Sequence, residues 1–375
     1  MSAWIANPLL EIKSLGQSIW LDYIDRGLLA NGGLARLIDH DGLAGVTSNP
    51  AIFEQAIDGH ADYDAAIADL SRRGWTTEQI YEAIVLEDIA RAADIFRPVY
   101  DRTGGRDGYV SIEVSPRLAY ETEPTLVAAR YLWGRLQRPN VMIKVPATAQ
   151  GLPVIHRLIA EGINVNVTLL FSLGRYREVT ETYLAALEDR LAAGKPLENI
   201  ASVASFFLSR IDVLVDKRLE ALSHDRGDET LCSLRGRAAI SYARLAYQIF
   251  KTLTASDRWN RLAVRGARPQ RLLWASTGTK DPAYSDVKYV EPLIGPETIN
   301  TLPPQTLEAY REHGKPAVRI EQDLDVATGT PTRLAQLGVD LEAVAEELET
   351  EGVKKFVQPF DKLFSSLEQR RQTYL

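Results

Sequence analysis

Short apolar runs rich in β-branched residues recur along the 375-residue chain, each is followed by a stretch of helical periodicity, and nearly every run carries a polar group at its end. Together these observations predict an α/β fold, a (β/α)8 TIM barrel with helical insertions and C-terminal helices. The proposed strands are SIWLDYI from Ser18, LAGVTSN from Leu43, YVSIEVS from Tyr109, VMIKVPAT from Val141, INVNVTLLFS from Ile163, ASVASFF from Ala201, RLLWAST from Arg271 and VKYVEPLI from Val287. Strands alternating with helices imply βαβ units and a parallel sheet, and eight of them imply closure.

Between the strands, apolar spacing predicts helices over Thr77–Phe96, Leu126–Leu136 and Ser172–Leu187, with Ser172 as an N-cap. Two stretches, about Phe53–Gly108 and Leu219–Gln270, exceed a simple βα unit but carry helical patterns, so they read as insertions on one barrel. The tail Leu341–Gln372 has helical spacing and is expected to pack outside the barrel or over its mouth. With no linker or low-complexity segment, residues 1–375 are expected to form a single domain.

Composition narrows the function. A content of 45% hydrophobic and 25% charged residues suits a soluble globular protein, and 43 basic against 50 acidic residues, a net charge of -7, argues against general nucleic-acid binding. The single cysteine, Cys232, excludes an intrachain disulfide and thiol-based metal clusters, while His40, His60, His156, His224 and His313 form no close pair of ligand spacing. The opening MSAWIANPLLEIK has no basic stretch leading into an apolar one, and no apolar run approaches the roughly 20 residues that span a bilayer. A cytoplasmic protein without metal, cofactor, membrane or nucleic-acid partner is expected, as a monomer or homodimer.

In a (β/α)8 barrel the active site forms at the C-terminal ends of the strands. There this sequence places Asp22, Thr47 with Asn49, Glu113, Lys144, Asn166 with Thr168, Ser205 and Ser276, one set per strand over seven strands. Lys144, between Ile143 and Val145, stands out because burial disfavours an ammonium, and a neutral amine can attack a ketone to form an iminium that permits adjacent C–C cleavage without a cofactor. Asp22 and Glu113 suit the proton transfers of such chemistry, or serve only to neutralise the lysine. Asn49, Asn166 and Ser205 suit polyol hydroxyls, or turns and caps. Arg210 and Lys280, the latter in the Gly278 turn, suit a phosphate, or surface ion pairs.

At these residues the chain resembles the transaldolase family, in particular its longer bacterial branch. The resemblance spans nearly the whole chain and rests on Ile19-Trp20-Leu21-Asp22, on Gly45-Val46-Thr47-Ser48-Asn49-Pro50, on Ile143-Lys144-Val145-Pro146-Ala147-Thr148 with Gly151, and on Asn164 to Ser172. It implies a Schiff base on Lys144, Asp22 as acid/base at the cleaved bond, and Glu113 with Thr168 handling water. It further implies that Asn49, Asn166 and Ser205 bind a dihydroxyacetone unit, and that Arg210 holds phosphate with help from the turn after Ser276. The implied reaction moves that unit from sedoheptulose 7-phosphate to glyceraldehyde 3-phosphate, giving erythrose 4-phosphate and fructose 6-phosphate, in the pentose phosphate pathway. Two features depart from the shorter members: Phe206 stands where proline is often found, and the turn after Ser276 is longer, which leaves Lys280 as the candidate second phosphate ligand. The alternative, a fructose 6-phosphate aldolase, is opposed by chain length and by Phe207 and Glu113, where those enzymes resemble one another in carrying tyrosine and glutamine.

Overall fold

Eight short β-branched segments form a closed parallel barrel in sequence order: β1 Gln17–Leu21, β2 Gly45–Val46, β3 Tyr109–Glu113, β4 Val141–Pro146, β5 Val165–Leu170, β6 Ser202–Phe207, β7 Arg271–Ala275 and β8 Thr298–Leu302. The computed structural model describes residues 7–227 and 229–375, apart from the side chains of Arg226, Glu229, Thr230 and Cys232. The chain start and the thiol, on which two of the expectations above rest, therefore lie outside the described residues. Closure comes from β1, whose five residues pair in parallel with β8, so that no strand edge is left open.

Seven of the eight expected strands lie where the sequence places them. The eighth does not: Val287–Ile294 is irregular chain ending in a 3-10 turn at Glu291–Leu293, and the strand is Thr298–Leu302, just beyond Gly295-Pro296. The apolar run is buried, with Val290, Leu293 and Ile294 at 0% exposure, because it packs against the outside of the barrel, where the Leu293 carbonyl accepts from Trp274 Nε1. Its apolarity reports burial and not strand.

The expected helices are present and longer. Thr77–Arg102 opens with a capping box between Thr76 and Gln79, and Leu173–Ala192 starts at Ser172, whose hydroxyl accepts from the Arg175 N–H. The first insertion carries helices Pro50–Gly59 and Asp64–Arg72, and the second carries Ala238–Thr254 and Asp257–Ala263. The tail is one helix, Leu341–Tyr374, which buries Val344, Leu348, Phe356, Phe360, Leu363 and Leu367 on one face. That face crosses the barrel mouth, packing on β5 and on the helices of the first insertion. Exposed pairs such as Arg218–Glu347 and Arg117–Asp361 edge the contact, and the buried apolar stripe supplies most of its stability.

Inside the barrel Trp20 is fully buried, and Gly45 on the neighbouring strand makes room for it: a Cβ there would lie 2.5 Å from the indole. At the N-terminal end a buried ion pair, Arg271 with Asp107 at 3.0 Å, closes the bore. Among the described residues no helix is long and apolar enough to cross a membrane, and no group of three His, Cys, Asp or Glu side chains is placed to hold a metal ion.

Candidate active site

At the opposite end of the bore the inward-facing residues of the strands leave a cavity of about 170 Å³ instead of filling it. Its lining includes Asp22, Thr47, Asn49, Lys144, Ser205, Phe207, Arg210, Ser276 and Lys280, so nine of the twelve expected site residues share one pocket. The other three stand on the two strands flanking β4: Glu113 on β3 is paired in register with Lys144, Asn166 on β5 with Lys144 from the other side, and Thr168 lies two residues beyond Asn166, on the same face.

Lys144 is 4% exposed on β4. Its Nζ donates to the Ser48 carbonyl at 3.1 Å and lies 3.4 Å from Glu113 Oε2. The Glu113 side chain is 3% exposed, and neither carboxylate oxygen has an aligned hydrogen-bond donor. Burial pushes the Glu113 carboxyl above its ordinary range, Lys144 opposes that rise, and Asp22 adds to it. Thr168 Oγ1 is likewise buried without a partner. Unpaired buried polar atoms are costly, so Glu113 and Thr168 are groups that a bound polar molecule would stabilise.

Asp22 lies one residue beyond β1. Thr47 donates to its Oδ1 at 2.6 Å and is 2.7 Å from the hydroxyl of Thr301 on β8, so two neighbouring strands fix the carboxylate. Burial raises the Asp22 pKa, with Lys144 foremost among the groups opposing the rise. Across the pocket Ser205 donates to Asn166 Oδ1 at 2.6 Å and Asn166 donates to Ser111 at 3.0 Å, a fixed line over three strands. Asn49 fulfils its structural alternative as well: it is the N-cap of Pro50–Gly59, accepting from the Ile52 N–H at 3.1 Å, yet it lines the pocket.

Arg210 sits in the first turn of Ser209–Arg226. Its guanidinium lies over Phe207 at 5.6 Å and Phe356 at 5.7 Å, Nη1 is buried without an acceptor, and burial lowers its pKa. Ser276 adopts a left-handed φ of 54°, turning the chain toward Gly278 and exposed Lys280, both at the pocket rim. A left-handed non-glycine residue stores strain, here at a pocket wall and bonded to Ser209 through both main chain and hydroxyl.

Sequence reasoning missed Thr301, because β8 was misplaced, and Phe356, which comes from the far end of the chain. It also missed Tyr81, which packs against Phe360 and Phe364 beside Glu113 and whose hydroxyl pKa is raised by burial and by that carboxylate.

The fold and its pocket define a (β/α)8-barrel enzyme with a buried lysine at the C-terminal ends of the strands. The family model described as Transaldolase/Fructose-6-phosphate aldolase matches residues 19–367, and the chain belongs to that family. It is 49% identical over 369 residues to Transaldolase 2 of Nostoc sp., covering 96% of this chain and 97% of the relative. To the transaldolase of Trichodesmium erythraeum it is 46% identical over 372 residues, 98% of each chain, and to that of Thiobacillus denitrificans 47% over 361 residues, 96% of this chain and 99% of the relative.

Proposed function

We propose that this enzyme transfers a dihydroxyacetone unit from sedoheptulose 7-phosphate to glyceraldehyde 3-phosphate through a Schiff base on Lys144, residues 1–375 acting as one barrel domain. Its activity is that of a transaldolase, and transaldolases stand among its relatives over nearly its full length. The observation that carries the mechanism is the Lys144 amine, buried in the pocket 3.4 Å from Glu113, with Asp22 in the same wall.

The steps follow from that placement. The Lys144 amine attacks the ketone carbon. Glu113, with Thr168 positioning the water, moves protons until the carbinolamine loses water and becomes an iminium. Asp22, held by Thr47, takes the proton of the hydroxyl on the far side of the scissile C–C bond, and the iminium accepts the electrons of that bond as it breaks. The aldose leaves, and the three-carbon enamine stays on Lys144. The same steps in reverse join it to the acceptor aldehyde. Asn49, Asn166 and Ser205 hold the hydroxyls of the three-carbon unit, and Arg210 holds the phosphate, with Ser276 and Lys280 at the rim.

Phe207 supports transfer over release, since a phenyl ring has no proton to give the enamine. Borohydride reduction in the presence of fructose 6-phosphate, followed by peptide mass mapping, is expected to give a three-carbon adduct on Lys144. Absence of that adduct ends the Schiff-base mechanism. Rapid production of free dihydroxyacetone without acceptor would favour an aldolase instead.

A further inference from the structure

The groups of the proposed chemistry come from the barrel strands, the turns that follow them or, for Arg210, the first turn of the helix after β6, but the cavity has one wall from elsewhere. Phe356, on the helix Leu341–Tyr374, lines it and is 4% exposed. Its ring lies 5.9 Å from Lys144 Nζ and 5.7 Å from the Arg210 guanidinium. One turn earlier Gly352 has no side chain to clear: a Cβ would lie 3.0 Å from Leu169, 3.6 Å from Arg210 Nη1 and 3.6 Å from Phe171. Leu169, next to Thr168, holds a left-handed φ of 55° where β5 shifts register, so the helix also packs on a strained point of the site.

On the Schiff-base reading, we propose that Phe356 is a specificity-determining residue, which covers Lys144 and pins Arg210 so that the three-carbon enamine passes to a phosphorylated aldehyde and is not released. Once the aldose has left, the enamine has two fates. In transfer, its nucleophilic carbon bonds to the acceptor carbonyl carbon, the aldehyde oxygen takes a proton from Asp22, and water hydrolyses the resulting iminium to ketose and free amine. In release, the same carbon takes a proton from water, and hydrolysis of that iminium yields dihydroxyacetone and free amine. An apolar ring over the amine holds back the water that the second route needs at carbon. The same ring, together with Phe207, holds a desolvated guanidinium through its π face and so keeps Arg210 at the pocket wall for the acceptor's phosphate.

The test uses Phe356→Ala and Phe356→Leu in the whole chain, with Leu363→Ala, a fully buried position on the same helix away from the pocket, as the control for loosening that helix. Three quantities are read: the borohydride adduct formed with fructose 6-phosphate, the ratio of dihydroxyacetone release to transfer, and KM for glyceraldehyde 3-phosphate against unphosphorylated glyceraldehyde. In Phe356→Ala the adduct persists, the release ratio rises about tenfold, and KM rises about tenfold for the phosphorylated acceptor alone. Phe356→Leu, which keeps an apolar cover without the ring, shows the KM change and a smaller rise in release; it carries the test if the alanine variant fails to fold. An unchanged ratio with the adduct intact overturns the inference, and so does an equal rise in Leu363→Ala. Lack of an adduct in the native chain is a different failure, that of the Schiff-base reading itself.

Discussion

Among the described residues the bore of the barrel holds two buried ion pairs, one at each end, and they are built differently. At the N-terminal end Arg271 and Asp107, each 7% exposed, lie 3.0 Å apart. Arg271 donates further to Ser18 Oγ, the Thr298 carbonyl and the Arg106 carbonyl, and Asp107 accepts from Ser18 at 3.0 Å. At the C-terminal end Lys144 and Glu113 are buried as deeply but lie 3.4 Å apart, with one hydrogen bond on the amine and none aligned on the carboxylate. A guanidinium stays charged at any pH a protein meets, so it suits a pair that must not change. An amine can lose its proton and form a bond. The same closed sheet thus carries at one end a pair tied to its neighbours by several hydrogen bonds, and at the other a sparsely bonded pair where we place the chemistry.

Substitutions can break or sharpen this contrast. Lys144→Ala is expected to lower kcat on the order of 10^4-fold or more while the circular dichroism spectrum and melting temperature stay near native. A large loss of stability with it would mean that the upper pair also holds the fold together. Arg271→Met should do the opposite, costing about 3–5 kcal/mol in urea unfolding because Asp107 is left buried and unpaired, with kcat near native in the folded fraction. Lost activity at unchanged stability would reverse the assignment of the two ends.

Asp22→Asn is expected to lower kcat about 100-fold and yet to raise the melting temperature at neutral pH. The sign follows from linkage: a carboxyl whose pKa is raised by folding binds its proton more tightly in the native state, so its contribution to stability is lost as pH rises from the ordinary aspartate range through the raised value. Asparagine does not titrate, so its advantage should shrink as the melting curves are moved toward about pH 4. A constant advantage at all pH values would exclude titration as its cause. The smallest effect is expected midway between the ends, where Gly45→Ala should cost about 1–3 kcal/mol by driving a methyl group into Trp20, measured as a shift in unfolding midpoint.

Much of the fold was readable because parallel strands are buried on both faces and therefore appear as continuous apolar runs. That rule also accounts for the one misplaced strand. Val287–Ile294 satisfies it as a buried irregular segment, whereas Thr298–Leu302 breaks it with two threonines and an asparagine that face hydrogen-bond partners, Asn300 donating to the Tyr289 carbonyl and Thr301 meeting Thr47. Local placement sufficed for Lys144, Asp22 and Ser205, since a polar residue at the end of an apolar barrel strand is carried to the mouth by the strand itself. It could not reach Phe356, whose helix shows only amphipathic spacing and whose neighbours in the pocket lie far back along the chain. Tyr81 was hidden for the same reason, as an aromatic residue inside a long helix resembles any core residue until Glu113 is seen beside it.

The helix that crosses the mouth also gives the site an order of assembly. Lys144, Asp22 and Arg210 precede residues 341–374 in the chain, so during synthesis the barrel and its amine emerge before the segment that roofs them. A chain stalled before residue 341 would carry every group of the proposed Schiff-base chemistry, yet the enamine formed on it would stand open to the surrounding water. On the roles proposed for Lys144 and Phe356, synthesis of the roof is the event that turns a sugar-splitting lysine into one that hands its fragment on.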